Sequence, residues 1–172
     1  ANITTGDHNV MIGHFAGKYA TTPSDSVLIG RAAGKKISGS ENIFIGQDAG
    51  EGTGTTSNNI AKRNVAVGYK AAAYLSTGCF NSILGTDAAQ QLTTGCYNSI
   101  FGYRANYGGT LTGTSNVFMG HYAGDDSTSG HSNVYIGKDA GRCATTGSYN
   151  IGIGIDALGD AVNTASNNIA LG

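Results

Sequence analysis

Residues 115–124 read SNVFMGHYAG, and the direction in which Val117, Phe118 and Met119 point decides the architecture. Alternate side chains of a strand face opposite ways, so Val117 and Met119 share one face while Phe118 takes the other. The run matters because it recurs. A glycine closes an apolar triplet at Gly13, Gly30, Gly46, Gly68, Gly85, Gly102, Gly120, Gly137, Gly154 and Gly172, at intervals of 17, 16, 22, 17, 17, 18, 17, 17 and 18 residues. Asn stands four positions before that glycine in nine of ten copies, with Ser26 as the exception. Ala stands three positions after it in all nine copies that extend that far. With h for an apolar residue, the unit is T-T-G-x-x-N-h-h-h-G-x-x-A-G.

A chain built of such units is a repeat array, and the unit is too short and too rich in glycine and β-branched residues for a helical repeat. Each copy reads as one short strand, N-h-h-h-G, between turns at Thr-Thr-Gly and Ala-Gly, with room for a second short strand. Stacked copies give an all-β fold, a parallel β-solenoid or β-roll of ten repeats of about 17 residues. Residues 1–172 then form one domain, and at about 4.8 Å per rung the rod is about 45 Å long. The five extra residues between Gly46 and Gly68 predict a loop inserted at about 51–63. The Asn row predicts a ladder in which each amide bonds its neighbour or caps a turn.

The flanking positions of the triplet, Val117 and Met119 and their counterparts, are expected to fill the coil. The recurrent Ala suits a narrow interior or a tight corner. The middle row, including Met11, Leu28, Phe44, Ile83, Ile100, Phe118 and Tyr135, then forms an apolar stripe along the outside. Soluble monomers seldom expose such a stripe, so it is expected to be buried between the chains of a homotrimer, side by side or intertwined.

Composition narrows the function. A net charge of −1 with 12% charged residues argues against a basic nucleic-acid surface, and no nucleic-acid partner is expected. The 28 glycines accompany a single proline, without the three-residue period of collagen. No apolar run is long enough to insert in a membrane, and no leader is visible. Beginning at Ala1, the chain reads as a processed product or a fragment.

The unit in NVMIGHFAG (9–17) and NVYIGKDAG (133–141) resembles the head repeats of trimeric autotransporter adhesins. The longer form TTGSYNIGIGIDAL (145–158) is similar to repeats of phage and viral tail-fibre proteins. The resemblance covers nearly the whole chain at the level of the repeat. It implies a trimeric fibre, borne on a virion or exposed at a cell surface, that adheres or carries a receptor-binding surface.

Recognition is expected where side chains vary from copy to copy on a rigid frame. The two positions after the frame glycine hold Tyr69–Lys70, Tyr103–Arg104 and His121–Tyr122. Aromatic faces beside charged groups suit carbohydrate, so these six residues are candidates for contact with host cell-surface glycan. The basic pair Lys62–Arg63 at the end of the insertion is a further candidate for an anionic glycan.

No cofactor or metal is expected, because the spacings of hydrolytic and metal-binding motifs are lacking. An enzyme is therefore not expected, although Asp139 and Asp156 on neighbouring rungs leave a glycan-degrading fibre as an alternative. An ice-binding solenoid is the other alternative, but its flat T-x-T array is not matched by Thr-Thr pairs adjoining turn glycines. Cys79 and Cys96 fall in one row of adjacent copies, within reach of each other, and are expected as free thiols because parallel side chains strain a bridge.

Overall fold

The computed structural model describes residues 4–54, 58–160 and 164–172. It is an all-β parallel solenoid. Ten three-residue strands follow one another along the chain: β1 (Val10–Ile12), β2 (Val27–Ile29), β3 (Ile43–Ile45), β4 (Val65–Val67), β5 (Ser82–Leu84), β6 (Ser99–Phe101), β7 (Val117–Met119), β8 (Val134–Ile136), β9 (Ile151–Ile153) and β10 (Ile169–Leu171). They form one sheet in sequence order, every pair parallel and in the register of the repeat, as in Phe118 opposite Tyr135.

Among the described residues no second strand follows in the coil. The reason lies in the backbone. Every second residue after the frame glycine adopts a left-handed conformation, for example Tyr122 at φ 55° and Gly124 at φ 62°. Extended structure is thereby replaced by successive four-residue turns such as Ala16 N–H to Gly13 C=O and Lys18 N–H to Phe15 C=O. These turns still bond to the adjacent rungs, Gly17 N–H donating to Ala33 C=O and Ala32 N–H to His14 C=O. The backbone is thus paired around the coil, as buried polar groups require.

The facing of the strands is opposite to the expectation from sequence. The middle row points into the coil: Leu28, Phe44, Ile83, Ile100, Phe118 and Tyr135 are at most 1% exposed within a single chain, and Met11 packs against the same core. These seven residues are the interior of one chain and form no subunit interface. The flanking rows point outward instead, as at Ile12, Leu84, Met119 and Ile153.

The physical cause is the narrowness of the coil. One row from the strand meets the Ala row (Ala33, Ala49, Ala88, Ala105, Ala123, Ala140) and a third row that includes Ile37, Leu75 and Leu92, and these fill the interior. Sizes are matched within each coil. Phe44, Phe118 and Tyr135 lie over Gly50, Gly124 and Gly141, where a Cβ would come within 2.8 Å of the ring. Where the middle residue shrinks to Ala66 or Gly152, the paired position grows to Ala72 or Leu158.

Two further rows hold the rungs in register. At the first nine frame glycines φ lies between 127° and 145°, and a Cβ on Gly85 would sit 2.3 Å from the Gly102 carbonyl oxygen, so only glycine fits. The Asn row is both ladder and cap. Asn98 donates through Nδ2 to Asn81 Oδ1 at 3.0 Å and to the Gly113 carbonyl at 3.1 Å, and its backbone N–H donates to Asn81 Oδ1 at 2.9 Å. The pattern repeats at Asn64, Asn81, Asn116 and Asn133, all buried. Ser26 maintains part of it, receiving the Asn42 N–H on its hydroxyl at 3.2 Å.

Phe118→Ala is expected to destabilise the fold by about 3–5 kcal/mol, whereas Met119→Ala in the isolated chain costs under about 1 kcal/mol, because only the first empties the core. Asn98→Leu, which strands buried partners above and below, is expected to cost more than Asn98→Ser. Thermal denaturation of the four variants checks the ranking.

Candidate functional site

The residues after the frame glycine lie beyond one margin of the sheet, outside the coil. Tyr103 and His121 occupy one row on adjacent rungs and stack at 5.4 Å between ring centroids, with planes 15° apart. Tyr122 closes the group, meeting Tyr103 edge-on at 6.3 Å and His121 at 4.4 Å. Tyr103 is exposed, and His121 and Tyr122 are half-buried.

Arg104 organises this cluster rather than standing free within it. Its Nη1 donates to the Tyr122 hydroxyl at 2.8 Å. Its guanidinium carbon lies 5.1, 4.7 and 5.9 Å from the ring centroids of Tyr103, Tyr107 and Tyr122. Its Nε is buried without a hydrogen bond and faces Asp87 Oδ2 at 3.5 Å. The bond to Tyr122 and the surrounding tyrosines raise its pKa, so it stays charged at any working pH. Cation–π contacts of this kind hold the aromatic faces in place. Arg142 adds a second cation over Tyr122 at 5.8 Å. Tyr107 and Arg142 are therefore members of the site that the row-by-row reading missed. They come from the turn beyond Ala-Gly, whose path sequence spacing did not specify.

Tyr69 and Lys70 do not join the cluster directly. They stand two rungs before Tyr103 and Arg104, with Thr86 and Asp87 between. Lys70 Nζ lies 5.3 Å from the Tyr69 ring centroid, and its interaction with Tyr69 raises the Lys70 pKa. Asp87 is the link: it adds to the positive shift of Lys70 and pairs with Arg104. The surface is a line of Tyr69–Lys70, Asp87, Tyr103–Arg104 and His121–Tyr122 on four consecutive rungs.

Lys62 and Arg63 lie beyond the opposite margin of the sheet, since β4 separates them from Tyr69. Arg63 is committed to Glu41 through two hydrogen bonds of 2.9 and 3.1 Å, which raise its pKa and lower that of Glu41. It also covers Phe80 at 5.2 Å. Its Nε and Nη2 donors are thus used within the chain. The insertion is anchored at its base by buried Asn59, which accepts from the Thr53 N–H at 3.3 Å and whose C=O accepts from the Ser38 N–H. The tip expected as a loop, residues 55–57, lies outside the described residues.

In the aspartate row, Asp48 is engaged by Arg31 at 2.9 Å, and Asp139 by Lys138 at 3.1 Å and Arg142 at 4.0 Å. Among the described residues no three His, Cys, Asp or Glu side chains gather as a metal site, and no helix is long and apolar enough to cross a membrane. Cys79 and Cys96 are joined in a disulfide, contrary to the expectation of free thiols. Their Cα atoms lie 4.6 Å apart on adjacent rungs, close enough for a bridge between two rows that run in step. Cys143 is free.

No family model, curated protein or solved structure matches the chain.

Thiol titration of the native protein is expected to find one reactive cysteine per chain, rising to three only after reduction. Three reactive thiols without reductant would contradict the bridge.

Proposed function

We propose that the chain is a structural and adhesive rod segment of a virus or phage tail fibre or a surface adhesin. It works as a homotrimer at the virion or cell surface, with the line from Tyr69 to Tyr122 turned toward host glycan. The observation that carries the reading is the apolar outer face of the sheet. Val10, Ile12, Ile43, Ile45, Val65, Leu84, Met119, Ile153, Ile169 and Leu171 are between 36% and 73% exposed on the lone chain. They run in two rows along the sheet, and a contiguous apolar face of this kind on a lone chain marks an interaction surface.

The case for self-association thus rests on the flanking rows, in place of the middle row. Because each strand pairs with the next of its own chain, each coil closes alone, and side-by-side packing suits it better than intertwining. Three rods in parallel, each turning its sheet to a common axis, cover all three faces at once. The aromatic line, beyond the margin of that face, stays clear of the axis. Its rings are fixed by Arg104 before any ligand arrives, which favours stacking on a sugar by lowering the ordering cost.

Light scattering is expected to give three times the 17.4 kDa chain mass. The double variant Leu84→Lys/Ile153→Lys is expected to lower that mass to one chain without loss of β structure. A monomeric wild type would overturn the assembly. On a glycan array, Tyr103→Ala is expected to weaken binding on the order of tenfold, the scale of a lost ring contact. An array with no bound glycan would remove the adhesive part of the reading.

A further inference from the structure

A second aromatic feature lies on the other margin of the sheet, in the row immediately before the Asn ladder. Four consecutive rungs carry Glu41, Arg63, Phe80 and Tyr97 in that row. Each touches the next. Glu41 holds Arg63 by two hydrogen bonds, Arg63 covers Phe80 at 5.2 Å, and Phe80 stacks on Tyr97 at 4.9 Å with planes 5° apart. The stack then stops. The next two residues of the row are Ser115 and Ser132, too small to cover the ring, and Tyr97 is 59% exposed. Beyond them stands Tyr149, 57% exposed, with His131 against it at 4.9 Å and nearly perpendicular. Three rung spacings separate Tyr97 from Tyr149, about 14 Å along the rod.

The ledge is held from beneath. Cys79 and Cys96 each directly precede one of the two stacked rings, and their disulfide ties the same two rungs. Ring and staple occur together in two adjacent copies, GCFN (78–81) and GCYN (95–98), and in no other copy. One face of Tyr97 is therefore occupied by Phe80, while the opposite face looks over a step floored by hydroxyls.

We propose that this open face of Tyr97 is a binding platform for an uncharged pyranose ring. A sugar presents axial C–H groups on one face, which pack against an aromatic ring, and hydroxyls at its rim, which suit Ser115, Ser132 and Thr114. An anion is disfavoured, because the one cation of the row, Arg63, is neutralised by Glu41 and lies behind Phe80. The step is wide enough for a ring stacked about 4 Å above Tyr97, still short of Tyr149. The site is separate from the line around Tyr103, which lies beyond the opposite margin of the sheet.

Saturation-transfer NMR with the methyl glycosides of glucose, galactose, mannose and N-acetylglucosamine tests it on the intact protein. Transfer to the C–H protons of one sugar face is expected for at least one of the four. It should fall on the order of tenfold in Tyr97→Ala, the scale of a lost stacking contact, and persist in Tyr97→Phe. Ser115→Tyr/Ser132→Tyr supplies a variant that keeps Tyr97 but fills the step between it and Tyr149. Phe80 and Tyr97 hold φ 56° and 61° in this row, and Ser115 and Ser132 hold 61° and 57°, so aromatic residues fit the backbone there. This variant is expected to abolish transfer with an unchanged circular dichroism spectrum. No transfer to any of the four sugars, or equal transfer to wild type and Ser115→Tyr/Ser132→Tyr, overturns the proposal. Loss of transfer in Tyr103→Ala but not in Tyr97→Ala overturns it as well, while leaving the glycan-binding role of the Tyr103 line standing.

Discussion

The width of the coil governs everything else in this molecule. Its interior admits one side chain from each strand, faced by Ala and a third apolar row, and each aromatic ring in it is met by a glycine. Phe118 over Gly124 and Tyr135 over Gly141 show the limit, since a single Cβ at either glycine would enter the ring. Protein interiors tolerate neither such overlap nor the void left by its opposite, and the Gly152 and Leu158 pair shows the same volume kept with the sizes exchanged.

From that constraint follows the apolar outer face. A strand of three apolar residues whose interior takes one must turn the other two outward. A lone rod therefore exposes two rows of Val, Ile, Leu and Met along its sheet. The stacking of rungs then sets up the surfaces on either margin. Frame glycines and Asn amides keep neighbouring rungs in step, so side chains in one row stand one strand spacing apart. At that spacing aromatic rings stack along the rod, as Phe118 on Tyr135 inside and Phe80 on Tyr97 and Tyr103 on His121 outside. Recognition by such a rod is a matter of which rows carry rings and where a small residue interrupts them.

The repeat, the strand in each copy, the parallel register and the Asn ladder were all legible in the sequence, because each recurs from rung to rung and so is printed nine or ten times. Which face of the strand is inside was not read correctly from the triplet alone, since all three of its positions are apolar. The deciding signal was present but non-local: Phe44, Phe118 and Tyr135 are each followed six residues later by glycine, whereas Ile83 and Ile100 are followed by Ala89 and Asn106. A side chain packed outside the coil would have no reason to track the size of a residue in the turn. Of the candidate site, the rows of Tyr103, Arg104, His121 and Tyr122 were legible from spacing. The contributions of Tyr107 and Arg142 depend on how the turn folds back, and the commitment of Arg63 to Glu41 spans the insertion, so neither could be read from position in a row.

The facing of the strand and the burial of its outer side between copies are tested together by a pair of adjacent cysteines. In a Cys143→Ser background, Ile83→Cys and Leu84→Cys place a thiol on the two sides of β5, and their rates of maleimide labelling are followed as the protein is diluted. The account predicts that the thiol at 83 is protected at every concentration, while that at 84 is protected in the assembly and labels freely once the chains separate. Free labelling at 84 at all concentrations, or labelling at 83 as fast as at 84, would contradict it.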